Sequence, residues 1–360
     1  VVLDVTAKTK DGKEVFTEQK IYMPQSSAYG RGDKMVYSPF RKSGMLADTS
    51  LQPGPALDGI SFSIRQGEIF GLLGPNGAGK TTTIRILSGL SRPSSGTAMI
   101  IGYDVVRNAV MVKKNIGVVP ESSNLYPELT CIDNLIFSGR LYGIGIKKVK
   151  NRANELLRLF GLEEKRDVLF GKLSSGMKRK LTVAASLIHD PPVLFLDEPT
   201  TGLDVMSART LREIIQSLKD RGITILLTTH YIEEADRLCD RIAILVKGKI
   251  VTIDTPGALK KSVRTEKAVD VRISTYSPFV EKEKGFSKIT TALKYEKREE
   301  MFRFFIDDLD SFLSEFSSFV KQQGLSIEAI HTVTPSLEDA FVEITGLKRE
   351  IMIQEKGGSK

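Results

Sequence analysis

Ile60, Phe62 and Ile64 alternate with Ser61, Ser63 and Arg65, a period-two pattern that predicts a strand with one buried face. Immediately after it, Ile69 to Leu73 is a continuous apolar run of strand length that enters a glycine-rich stretch. Similar runs recur at Ile116 to Val119, Val193 to Leu196, Ile223 to Leu227 and Ile242 to Val246, separated by stretches with helical spacing. Strands that are apolar throughout, alternating with helices, predict a sheet covered by helices on both faces. Lys247-Gly248-Lys249 then predicts a turn that closes a last hairpin.

The texture changes between Pro120 and Pro191. Thr130 followed by Asp133 predicts a helix N-cap, and Ala153, Leu156, Leu157 and Phe160 keep one apolar stripe until Gly161 ends the helix. A helical subdomain over about 121–190, inserted into a sheet domain spanning 51–257, is the expected arrangement. From 258 to 360 the pattern predicts a small α+β domain: strands near Val269 to Ile273, Phe302 to Ile306 and Ile327, with a helix through Phe312, Phe316 and Phe319. Gln354 to Lys360 reads as a frayed end. Residues 1–50 form an extension with a possible hairpin at Asp11-Gly12 and no assignable role.

Composition narrows the function classes. The chain has 360 residues, of which 41% are hydrophobic and 27% charged, enough for two or three globular domains. No uncharged apolar run approaches the roughly 18 to 20 residues of a membrane-spanning helix. The start, Val1-Val2-Leu3-Asp4-Val5, lacks the basic head and apolar core of a secretory signal, so the expected location is the cytoplasm. Cys131 and Cys239 stand far apart without metal-ligand spacing and read as ordinary thiols. The formal charge is +8, but its basic residues come in short clusters, Lys113-Lys114, Lys147-Lys148-Val149-Lys150 and Lys178-Arg179-Lys180, without interleaved aromatics. Solvated helix faces near an anionic membrane surface explain them better than a nucleic-acid platform, and no direct nucleic-acid contact is expected.

Gly74-Pro75-Asn76-Gly77-Ala78-Gly79-Lys80-Thr81, with Thr82 beyond it, fits the phosphate-loop pattern in the context that pattern needs, after a buried strand and before a helix. Backbone N–H groups and the helix N-terminus would receive phosphate, Lys80 would reach the β and γ phosphates, and the Thr81 hydroxyl would ligate Mg²⁺. Val193 to Glu198 is a buried strand ending in two carboxylates. Read alone it is an acidic turn; paired with a phosphate loop, Asp197 would hold Mg²⁺ and Glu198 would orient the attacking water.

Leu173-Ser174-Ser175-Gly176-Met177, opening a helix shortly before that strand, resembles the signature motif of ATP-binding-cassette (ABC) ATPases, with Ser175 where the family usually has glycine. Gly202-Leu203-Asp204 resembles the family's D-loop and His230 its switch histidine, both in the expected order. The resemblance, over about 51–350, implies an α/β phosphate-loop ABC ATPase core with an inserted helical subdomain, plus the C-terminal α+β domain. It implies ATP and Mg²⁺ as ligands, and a head-to-tail pair of chains in which Ser174, Ser175 and Gly176 of one clamp the nucleotide held by the loop of the other. His230 would contact the γ-phosphate, and Asp204 would link the two sites. The implied partners are a second ATPase subunit and a separate integral membrane permease. Such a chain would sit peripherally on the inner face of the cell membrane.

Two positions depart from the family pattern. The usual glutamine after the strand ending at Pro120 is Glu121, which can still ligate the metal and face the attacking water. The usual adenine-stacking aromatic falls at Leu51. Pro335 to Phe341 with Ile344-Thr345-Gly346 resembles the ending of ATPases that serve exporters, and reads equally as a capped amphipathic helix. A soluble ABC ATPase acting on nucleic acid or in translation is the alternative. It would usually show two cassettes or a long coiled-coil insertion, and this chain shows neither.

Overall fold

In the computed structural model the described residues are 55–262, 267–273, 286, 289–298, 301–333 and 335–347, with the short strands Val5–Thr6 and Ile21–Pro24. After the strand β1 (Pro55–Ile60), the five apolar runs become β2 (Ile69–Leu73), β3 (Ile116–Val119), β4 (Val193–Asp197), β5 (Thr224–Thr229) and β6 (Arg241–Val246). β7 (Lys249–Asp254) returns antiparallel to β6 through a turn with Lys247 and Gly248 both at positive φ, the backbone a tight hairpin requires. The six-stranded sheet has the order β7-β6-β2-β5-β4-β3, parallel except at β7.

Registers within this sheet decide where chemistry can occur. Leu73 at the end of β2 pairs with Thr229 of β5, and Asp197 at the end of β4 pairs with Thr228. Three adjacent parallel strands therefore stop level with one another, at the carboxyl edge where α/β sheets bind ligands. Phe70, Leu72, Phe195, Leu226, Ala243 and Leu245 bury the sheet in one core with Ile84, Ile86 and Leu87 of helix α1 (Lys80–Leu87).

Between β3 and β4 the chain forms α2 (Cys131–Leu141), α3 (Ile146–Leu159) and α4 (Ser175–Ser186). Thr130 caps α2, its Oγ1 accepting from Asp133 N at 3.1 Å. Val149, Ala153, Leu156 and Leu157 are the buried stripe of α3. Helices α5 (Val205–Asp220) and α6 (Ile232–Leu238) follow β4 and β5.

Three expectations need correction. The alternating stretch Ile60 to Arg65 is not one strand: a strand ends at Ile60, residues 61–63 are irregular, and pairing resumes only at Ile64–Arg65, while Ile60, Phe62 and Ile64 all remain buried. Burial of every second residue was satisfied without continuous pairing. The cluster Lys178-Arg179-Lys180 is not wholly solvated, because Arg179 is buried. The C-terminal domain holds an additional strand, described below. The expected hairpin at Asp11-Gly12, Leu51 and the frayed end all lie outside the described residues. No helix of the described residues is long and apolar enough to cross a membrane.

Gly257–Gly346 is a second compact unit. Its strands β8 (Lys267–Ile273), β9 (Ala292–Arg298), β10 (Met301–Ile306) and β11 (Ile327–Val333) form an antiparallel sheet in the order β9-β10-β8-β11. β9 was not legible in the sequence, since it lies at the sheet edge with Leu293, Lys294, Glu296 and Lys297 exposed and so carries no apolar run. Helix α7 (Leu309–Gln322) buries Phe312 and Phe316 against Phe304 and Phe286, with ring centroids about 5 Å apart for several of these pairs. Helix α8 (Leu337–Thr345) carries the capping box of Ser336 and Asp339 and ends at Gly346 with φ of 66°. Replacing Phe304 by Ala should destabilise this unit by about 3–5 kcal/mol. A lowered denaturant midpoint for the transition reported by its aromatic signal checks this.

Candidate active site

The phosphate loop leaves β2 at Gly74 and enters α1 at Lys80. A Cβ on Gly74 would lie 2.1 Å from Leu245 O, and Gly79, at φ of 109°, would place one 2.6 Å from Leu57 Cδ2. Only glycine lets the loop lie this close to β6 and β1. Gly79 gives α1 no side-chain cap, so the first N–H groups of the helix, at Lys80, Thr81 and Thr82, stay available to an anion. Asn76 and Gly77 are exposed at the loop's crest, while Pro75 is half-buried and Ala78 buried.

Lys80 folds back beneath this loop. Its Nζ donates to Gly74 O at 2.7 Å and Pro75 O at 3.2 Å, and it lies 3.1 Å from Glu198 Oε1, with both side chains buried. The contact with Glu198 is ionic without hydrogen-bond alignment, so Oε1 retains an unfilled acceptor. Glu198 Oε2 accepts from His230 at 2.7 Å and Thr201 Oγ1 at 3.3 Å. Burial alone would raise the Glu198 carboxyl, but the bond from His230 and the charge of Lys80 outweigh it and hold that carboxyl below the ordinary glutamate value. An ionised Glu198 accepts only, which places the shared proton on Nδ1 of His230.

The backbone at Glu198 is left-handed, with φ of 49°. A non-glycine residue there costs about 1–3 kcal/mol and persists where its surroundings hold it. Glu198 N donates to Thr228 O and to Thr228 Oγ1, both at 3.1 Å. Asp197 Oδ1 accepts from Thr228 Oγ1 at 2.6 Å and from Thr81 Oγ1 at 3.3 Å. One threonine, absent from the sequence-based candidates, therefore positions both carboxylates. Its only prior signal was its place at the end of an apolar strand.

Asp197 and Thr81 present two hard oxygen donors beside the phosphate loop. Among the described residues no group of three His, Cys, Asp or Glu side chains could form a closed metal site. Mg²⁺ at a phosphate site takes one or two protein oxygens together with phosphate and water, so the donors present fit that ion. Glu121 lies exposed just past β3, and none of the described contacts joins its side chain to Asp197 or Thr81.

The signature segment lies at the N-terminus of α4. Ser174 caps the helix, its Oγ accepting from Met177 N at 3.3 Å, and both Ser174 and Ser175 are exposed. Gly176 is buried: a Cβ there would lie 2.3 Å from Ser207 Oγ. Asp204 in turn caps α5 by accepting from Ser207 N and Oγ at 2.9 and 2.7 Å, bonds that hold its exposed carboxyl below the ordinary aspartate range. The signature helix and the D-loop thus meet at Ser207. His189 stacks on Tyr142 and bonds Ile116 O, and His331 is exposed, so neither joins the site.

A phosphate loop, a strand-end carboxylate pair and a histidine gathered at the carboxyl edge of a parallel sheet are the arrangement of a phosphate-loop nucleoside-triphosphate-binding protein. Comparison with known proteins makes this specific. Residues 57–201 match the ABC transporter family profile. The chain is 45% identical over 222 residues to the Nod factor export ATP-binding protein I of Burkholderia lata, spanning 62% of this chain and 72% of that protein. It is 38% identical over 296 residues to the daunorubicin resistance ATP-binding protein DrrA2 of Streptomyces coeruleorubidus, spanning 82% and 92%. A solved ATP-binding subunit of an ABC transporter superimposes with a TM-score of 0.53 at 32% identity, covering 59% of this chain and 88% of that one. The chain belongs to the ABC transporter family, as an ATP-binding subunit.

Glu234, on α6, generates a prediction. It is buried, accepting from Thr200 Oγ1 at 2.8 Å, and burial raises its carboxyl above the ordinary value despite bonds from Thr229 and Thr200. A carboxyl raised in the folded chain binds an extra proton there, so stability falls as pH climbs from the unfolded value, about 4.3, through the folded one. Glu234→Gln removes that dependence. Urea unfolding at pH 5 and pH 8 should show the variant gaining stability relative to the parent at the higher pH.

Proposed function

We propose that this chain binds and hydrolyses MgATP as one of two ATPase subunits that drive a separate membrane permease, in an export system on the inner face of the cell membrane. The convergence of Lys80, Asp197, ionised Glu198 and His230 on one edge of the sheet is the observation that carries the reading. Export rests on the relatives, one named for Nod factor export and one for daunorubicin resistance.

In this reading the loop from Gly74 to Thr82 receives the triphosphate on its backbone N–H groups, and Lys80 turns from Glu198 toward the β and γ phosphates. That exchange matters for catalysis. While Lys80 lies 3.1 Å from Glu198 Oε1 its charge lowers the basicity of the carboxylate; once phosphate takes the lysine, Oε1 becomes a better acceptor for a proton from the attacking water. His230 keeps Glu198 oriented through Nδ1 and turns Nε2 to the γ-phosphate. Thr81 and Asp197 would hold Mg²⁺, with Glu121 reaching it from the end of β3. The ion, when bound, would supply charge neutralisation to the triphosphate. Leu51 would give the base apolar contact only. Ser174, Ser175 and Gly176 would close on the nucleotide of the facing subunit, with Asp204 beside them.

Glu198→Gln keeps the shape of the side chain and removes the base. Turnover should fall by about 10²–10⁴-fold with ATP affinity retained, and the variant should run as a dimer with MgATP and a monomer without it. Turnover near that of the parent would remove Glu198 from this role, and a size-exclusion profile unchanged by ATP would argue against nucleotide-driven pairing.

A further inference from the structure

Arg179 lies on α4 one helical turn past Gly176, and its side chain passes into the protein instead of into solvent. Each of its five N–H bonds ends on a main-chain carbonyl. Nε donates to Pro199 O at 2.8 Å, Nη2 to Asp197 O at 2.8 Å and Glu198 O at 3.1 Å, and Nη1 to Pro120 O at 2.5 Å and Glu121 O at 3.0 Å. The guanidinium has no further donor to give. Its acceptors fall into two groups: the exit of β3, which carries Glu121, and the exit of β4, which carries Asp197 and the left-handed Glu198.

We infer that Arg179 is a positioning residue that fixes the two strand exits to each other and to the signature helix, and so sets the placement of Glu198 for hydrolysis. Geometry supports this over a general structural role. A left-handed glutamate needs its peptide groups held on both sides; Thr228 holds the N–H and Arg179 holds the carbonyl. The same planar fork reaches the Glu121 carbonyl, so any displacement of the β3 exit is transmitted to Glu198 without passing through a side chain that touches substrate. Through the helix it also ties one chain's own carboxylates to the Ser174 and Ser175 segment, which in the reading above serves the facing chain's nucleotide. Lysine at this position has three donors on a flexible stem, cannot span five carbonyls, and keeps the charge.

The inference rests on the ATPase reading, so the parent and Glu198→Gln proteins are assayed alongside; a parent without ATPase activity would contradict that reading, and only variants of an active parent address Arg179. Arg179→Lys and Arg179→Gln are compared for melting temperature, affinity for a fluorescent ATP analogue, and kcat normalised to folded protein. The expected result is a kcat lowered by about tenfold or more in Arg179→Lys and further in Arg179→Gln, with affinity within about twofold of the parent. A kcat loss smaller than about fivefold, whatever the melting temperature, would overturn the assignment. So would kcat and affinity falling together, or failure of both variants to fold, since the guanidinium would then hold the fold rather than the geometry of Glu198.

Discussion

A glutamate held in left-handed backbone at the end of a buried strand is the constraint on which the rest of this site depends. Glu198 turns the chain sharply out of β4, which sends its carboxylate back toward the phosphate loop and not onward with the strand. That conformation is unfavourable by about 1–3 kcal/mol and survives because its neighbours hold it from three directions. Thr228 of the adjacent strand fixes the N–H, Arg179 of the signature helix fixes the carbonyl, and Lys80 and His230 fix the carboxylate. Strand order makes this possible, because β2, β5 and β4 lie side by side and end level.

The electrostatics follow from the same packing. A carboxylate taken out of water is costly unless a cation and hydrogen bonds compensate it, and Glu198 has both. Lys80 is the compensating charge, and in the mechanism proposed above it is also the group that a bound triphosphate would take from Glu198. Glu234 shows the contrast: buried nearby with hydroxyl partners and one oxygen without a hydrogen bond, its carboxyl is raised where that of Glu198 is lowered. The two neighbouring carboxyl groups shift in opposite directions because Glu198 has a cation and an imidazole beside it, whereas burial dominates at Glu234.

Much of this was legible in the sequence, for identifiable reasons. Strands buried on both faces write themselves as apolar runs, so β2 to β6 were placed to within a residue or two. The phosphate loop, Asp197, Glu198 and His230 announce themselves by residue type and order. Arg179 was hidden because a basic residue between two lysines reads as solvated, although Gly176, Arg179 and Val183 share a helical stripe that the structure buries. Thr228 was hidden because a hydroxyl ending an apolar strand carries no pattern of its own. Edge strand β9 was hidden by its exposure.

The central claim is that each catalytic centre is built from two chains, with Lys80 and Glu198 from one and the exposed Ser174 and Ser175 from the other. Mixing chains carrying Lys80→Ala with chains carrying Ser174→Arg tests it directly. Each variant alone spoils both sites of its own dimer, whereas a mixed dimer retains one intact site. The account predicts that each protein alone hydrolyses ATP only at background rates and that the mixture regains turnover several-fold above either. A Ser174→Arg protein as active as the parent, or a mixture no more active than its components, would contradict it.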